Sequence, residues 1–99
     1  AILHSKSGCK RQQWHTDYDP EVCKSTSLKP MGAIFALEDN TYFNIHKKRK
    51  ILLKKGQILI FDGDLVHAGS AYDEENTRIH FYLDSPHVPR KKNKTYLLT

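Results

Sequence analysis

No stretch of this 99-residue chain keeps apolar residues at helical spacing; short apolar runs recur instead between turn signals. Such a chain can bury its side chains only by pairing strands, which predicts an all-β sandwich or barrel. Eight strands are predicted, over residues 1–4, 12–16, 33–37, 42–46, 50–53, 57–61, 66–70 and 78–83. Asp19-Pro20, Lys29-Pro30, Glu38-Asp39-Asn40, Lys55-Gly56, Asp62-Gly63-Asp64 and the acidic stretch from Asp73 to Asn76 supply turn chemistry between them. The longest stretch without a periodic signal, residues 18–31, is read as a loop able to cover a site.

A hydrophobic content of 38% in so short a chain supports one domain. The division read from the sequence is a β core over residues 1–84 and a basic tail over residues 85–99, where Pro86, Pro89 and a lysine run predict mobility. No apolar run is long enough to cross a bilayer, and the chain opens at Ala1 without a charged-then-apolar leader, so it is read as an intracellular excerpt, cytoplasmic or nuclear, of a longer protein. Cys9 and Cys23 are too few for a disulfide framework and are read as thiols. The net charge of +5 is clumped at Lys47, Lys48, Arg49 and Lys50, at Lys54 and Lys55, and at Arg90, Lys91, Lys92 and Lys94. Clumping permits a polyanionic partner such as nucleic acid, but lysines on strand edges also block edge-to-edge association, and that plainer reading is preferred.

Chemistry-bearing residues fall at three places. His15 and Asp17 in Gln13-Trp14-His15-Thr16-Asp17 stand two apart on an extended chain, so imidazole and carboxylate project to one side and can grip one cation. His67 follows an apolar run and a glycine turn and precedes small residues at Ala68 and Gly69, which leave room beside a metal. Two histidines and a carboxylate on one face of an ion leave positions open for substrate and oxygen, the arrangement of non-haem iron(II); zinc is a competing occupant. Arg78 lies eleven residues beyond His67, and its planar fork suits a carboxylate. By strand parity Arg78, His80 and Tyr82 share one face and Ile79, Phe81 and Leu83 the other, so the polar face either lines a cavity or looks outward. A surface salt bridge from Arg78 to Glu74, Glu75 or Asp84 is the plainer alternative to a bound anion.

In order and approximate spacing, His15, Asp17, His67 and Arg78 resemble the signature of the Fe(II)- and 2-oxoglutarate-dependent dioxygenases. That family has a double-stranded β-helix, or jelly-roll, core of the cupin kind, with about eight strands here and without the helices that commonly flank it. The resemblance implies Fe(II) held by His15, Asp17 and His67, 2-oxoglutarate as co-substrate with its far carboxylate on Arg78, and O2 as oxidant. It implies a hydroxylase acting on an unidentified small-molecule or peptidyl substrate. Gln13-Trp14 and the eleven-residue step to the arginine look closest to the phytanoyl-CoA hydroxylase-like branch. Several branches carry a serine two residues after the arginine, where this chain has His80.

Two other readings compete. One is a cupin-like metal protein that does not use 2-oxoglutarate; the other is a non-catalytic basic β domain that binds nucleic acid or an acidic partner. Trp14 and Tyr18 are read as core aromatics, Asp62 and Asp64 as turn residues, and His4, His46 and His87 as structural or solvent-facing.

Overall fold

A computed structural model describes residues 2–90 and 95–97. Its elements in chain order are β1 (Ile2–Ser5), β2 (His15–Thr16), α1 (Pro20–Lys24), β3 (Met31–Ala36), β4 (Thr41–Ile45), β5 (Lys50–Leu53), β6 (Ile58–Asp62), β7 (His67–Gly69), β8 (Asn76–Leu83) and β9 (Tyr96–Leu97). They form a four-stranded sheet in the order β1-β8-β3-β6 and a five-stranded sheet in the order β5-β4-β7-β2-β9. All pairings are antiparallel. This is the predicted all-β jelly roll.

The inner faces of the sheets meet in one core. Ile34 and Ala36 of β3 and Phe61 of β6 pack against Phe43 of β4 and Leu53 of β5, with Ile45, Ile51, Leu59 and Leu65 around them. Phe43 and Phe61 join the layers directly, their ring centroids 4.8 Å apart. Burying each ring contributes roughly 1.5–3 kcal/mol. The close fit depends on Gly32: a Cβ there would stand 2.6 Å from Phe61 Cζ, so the backbone of β3 comes near enough to seat the ring only without a side chain.

The outer face of the four-stranded sheet is unusually apolar. Register puts Ile58 and Ile60 of β6 beside Phe35 and Ala33 of β3, and these beside Ile79 and Phe81 of β8. Ile58, Ile60, Phe81 and Leu83 are all exposed. The parity of β8 is thereby settled: Arg78, His80 and Tyr82 turn into the sandwich.

Two elements depart from the sequence reading. Residues 20–24, read as part of a loop, make the short helix α1, begun by Asp19, whose carboxylate accepts from the Glu21 N–H, and by Pro20 in the first turn. The stretch 85–99 supplies Val88 to a second core cluster with Tyr18 and Cys23, and Tyr96–Leu97 adds a strand beside β2. Arg90 bonds Asp84, which also accepts from the Tyr18 hydroxyl. Lys91, Lys92 and Lys94 of the basic run lie outside the described residues. Cys9 and Cys23 are free thiols. Among the described residues no helix is long and apolar enough to cross a membrane.

Candidate metal centre

His15 and His67 are distant in sequence but are direct cross-strand partners, because β2 pairs β7 in the register His15↔His67. Directly opposed residues on one face of an antiparallel pair have their Cβ atoms roughly 4.5–5.5 Å apart, so the two imidazoles must meet. Their ring centroids are 4.6 Å apart. Asp17 joins them where β2 ends. The Thr16 hydroxyl donates to the Tyr18 carbonyl and the Tyr18 N–H donates to the Gly63 carbonyl, which bends the chain and turns the carboxylate inward. His15 Nε2 is 3.6 Å from Asp17 Oδ1 and His67 Nε2 is 3.5 Å from Asp17 Oδ2. One ligand atom from each of the three residues lies within 4.8 Å of the others.

The imidazoles are aimed. Nδ1 of His15 lies 2.7 Å from the Gln13 carbonyl, and Nδ1 of His67 lies 2.8 Å from the Leu65 carbonyl. A carbonyl oxygen only accepts, so in each ring Nδ1 carries the hydrogen and Nε2 presents its lone pair to the site. His67 is further held between Phe43, stacked at 5.0 Å, and Phe61, also at 5.0 Å, which ties its ring to the centre of the core.

Electrostatics favour the ligating forms of both buried groups. Burial works to raise the pKa of Asp17, but the polar contact with His80 at 3.4 Å and the nearby His67 and His15 outweigh it and hold the carboxyl below its ordinary value. Burial lowers the pKa of His67 and outweighs the opposing pull of Asp17 and the Leu65 carbonyl, so the neutral imidazole is favoured. Asp17 Oδ2 is buried without a well-formed hydrogen bond among the described residues. A buried carboxylate oxygen in that state is costly unless a neighbouring donor or a cation completes it. The His67 imidazole in its neutral form, the His15 imidazole and the Asp17 carboxylate are a donor set that fits a divalent metal.

Arg78 lines the same cavity, of about 180 Å³, together with His15, Asp17, His67, His80 and Tyr82. Its side chain is 6% exposed. Its Nη1 donates to Ser5 Oγ at 3.0 Å and to Asn76 Oδ1 at 3.3 Å, and the guanidinium lies over the Tyr72 ring at 5.1 Å. Of the three carboxylates set against it in the sequence, Glu75 pairs with His4 and Asp84 with Arg90, and Glu74 makes no ion pair with it. Among the described residues Arg78 forms no ion pair. A buried guanidinium that, among the described residues, bonds only neutral oxygens can pair with an anion entering the cavity.

No protein-family model matches this chain, and no curated protein does. Among solved structures, a cupin-like protein from Thermotoga maritima superimposes with a TM-score of 0.66 at 16% sequence identity, over 98% of this chain. The fold is cupin-like. At that identity the likeness speaks for the double-stranded β-helix alone, and this chain spans 61% of the other's length. In the cupin-like barrel seen here, β2, β7 and β8 bring polar side chains together in the lining of the cavity.

Trp14, read as a core aromatic, departs from that reading: it is half-buried and belongs to neither core cluster, with Arg11 packed over its ring at 4.4 Å and His46 against its edge at 5.1 Å. Tyr18 is fully buried. Asp64 pairs with Lys29, and the Asp62 carbonyl accepts from the Leu65 N–H, so both act in the turn. Sequence reasoning missed Gln12, whose N–H donates to the Gly69 carbonyl and whose Oε1 accepts from the Gly69 N–H, closing the edge of the cavity. Nothing local in the sequence points from Gln12 to Gly69.

Proposed function

We propose that this chain is the core of an Fe(II)- and 2-oxoglutarate-dependent oxygenase, with His15, Asp17 and His67 holding the iron and Arg78 holding the far carboxylate of 2-oxoglutarate. The observation that carries the reading is the buried Arg78, without an ion pair among the described residues, facing the same cavity as the His-Asp-His cluster. Iron and 2-oxoglutarate, when bound, supply the oxidising power: decarboxylation to succinate and carbon dioxide coupled to hydroxylation of a substrate C–H bond by O2.

The protein's part is geometry and dryness. Asp17 supplies the negative charge that a dication needs, and His15 and His67 present Nε2 without reorganising because their Nδ1 atoms are already engaged. Arg78 fixes the depth and direction of a dicarboxylate by a forked pair of hydrogen bonds. Ile34 and Phe43 wall the cavity with apolar surface, which limits water and strengthens each charged contact inside.

A cupin-like metal protein without a 2-oxoglutarate site is the second reading, favoured by the presence of a third imidazole, His80, 3.4 Å from Asp17. One titration separates them. Adding 2-oxoglutarate to the Fe(II)-loaded protein under exclusion of oxygen is expected to produce a visible metal-to-ligand charge-transfer band together with a rise in thermal midpoint. Iron binding without either response contradicts the oxygenase reading and leaves the metal-protein reading standing.

A further inference from the structure

His80 is the one imidazole of the cavity that the reading above does not use. It stands on β8 two residues after Arg78, so both side chains project from one face of one strand. β8 lies inside its sheet, paired with β1 and β3, and is the longest strand of the fold. The His80 side chain is 12% exposed, and its Nε2 lies 3.4 Å from Asp17 Oδ2. Its ring is held by Tyr82, centroids 4.6 Å apart, with Phe61 at 6.3 Å. The close group of ligand atoms comprises His15, Asp17 and His67 and does not include His80. His80 thus reaches the carboxylate of Asp17, not the centre of the cluster.

We propose that His80 is a positioning residue for the metal centre: it donates Nε2–H to Asp17 Oδ2 and so reserves Oδ1 as the single ligating oxygen. The proposal rests on the metal-binding part of the reading above. An unrestrained carboxylate can rotate to give a metal both oxygens, which consumes one more coordination position. Holding one oxygen in a hydrogen bond keeps the carboxylate to one position and leaves the next open for a co-ligand. The 3.4 Å separation is a few tenths of an ångström longer than a mature hydrogen bond, and such contacts tighten when the site is filled. Because Arg78 shares the strand, the anion receptor and the clamp on Asp17 are set by the same stretch of backbone.

The test uses the whole chain loaded with Co(II), whose visible ligand-field bands report coordination number, and with Cu(II), whose pulsed EPR spectrum counts coordinated imidazoles. His80→Ala is expected to weaken Co(II) binding about 10- to 100-fold, the range for loss of a group that orients a ligand, and to shift the ligand-field bands. His80→Gln, whose amide N–H can reach the same oxygen, is expected to recover most of the affinity and the wild-type bands. The imidazole count is expected to be two in the wild type and in both variants. A count of three in the wild type overturns the proposal by making His80 a ligand. Unchanged affinity and bands in His80→Ala, or equal losses in the alanine and glutamine variants, overturn it as well. Should His80→Ala fail to fold, His80→Phe keeps a ring against Tyr82 and takes its place. A wild-type chain that binds neither metal removes the metal-binding reading itself, and is thereby distinguished from failure of the His80 role alone.

Discussion

Asp17→Ala is expected to abolish turnover and to weaken Fe(II) or Co(II) binding by more than about 100-fold, a larger loss than follows from disturbing a group that merely orients a ligand. Asp17 is the anionic donor of the cluster, so its removal leaves a dication facing two neutral imidazoles. The effect is visible without an activity assay. A metal present at about 100 times its dissociation constant stabilises the wild type by roughly 2.7 kcal/mol, and that increment is expected to vanish in the variant. The metal-free variant is expected to fold normally, because burial of the carboxylate works against its charged form and the neighbouring histidines can stay neutral once it is gone. Isothermal titration and metal-dependent thermal shifts check both parts; retention of wild-type affinity contradicts the assignment of Asp17.

Arg78→Ala is expected to leave metal affinity unchanged and to weaken 2-oxoglutarate binding sharply. Removing one partner of a buried, hydrogen-bonded charge pair costs roughly 2–5 kcal/mol, or about 30-fold to several thousand-fold in a dissociation constant. Arg78→Lys is expected to recover only part of this, since an ammonium cannot reproduce the fork. A second consequence distinguishes a receptor from a structural arginine. Arg78 is bonded only to Ser5 and Asn76 and has no ionic partner among the described residues, so Arg78→Met is expected to keep the ligand-free stability within about 1 kcal/mol. Denaturant unfolding of the ligand-free protein and co-substrate titration of the metal-loaded protein measure the two effects separately.

Much of this architecture is legible in the sequence because short apolar runs are set off by turn residues. The run at residues 50–53 coincides with β5, and those around Ala33, Tyr42, Ile58 and Arg78 fall on β3, β4, β6 and β8 with ends shifted by one or two residues. Parity on β8 pairs Arg78 with His80 and Tyr82, but whether that face turns inward depends on the other sheet. The local code is ambiguous there because Ile79, Phe81 and Leu83, the apolar alternative, face outward in company with Ile58 and Ile60. A strand with one polar and one apolar face does not announce its inside when the apolar face turns outward. The helix α1 was signalled by Asp19-Pro20-Glu21, which reads equally well as a turn when no apolar periodicity follows. The two-residue strand β9 depends on pairing with β2 and carries no period of its own.

The cluster shows the same division between local and long-range information. The His15-Asp17 spacing is local and readable. The meeting with His67 is fixed by the β2–β7 register, which a one-residue slip would destroy by turning one imidazole to the opposite face. Gln12 at Gly69 and His80 at Asp17 follow from the same long-range geometry. Neither can be derived from spacing.

The central claim is that one cation gathers three side chains while the Arg78 guanidinium receives the other end of its co-substrate. A crystal structure of the chain with Mn(II) and 2-oxoglutarate, grown without oxygen, tests this most directly. The account predicts the metal bound to Nε2 of His15, Nε2 of His67 and a carboxylate oxygen of Asp17, with the distal carboxylate of 2-oxoglutarate paired to Arg78. Metal bound at other residues, or a dicarboxylate seated away from Arg78, would contradict it.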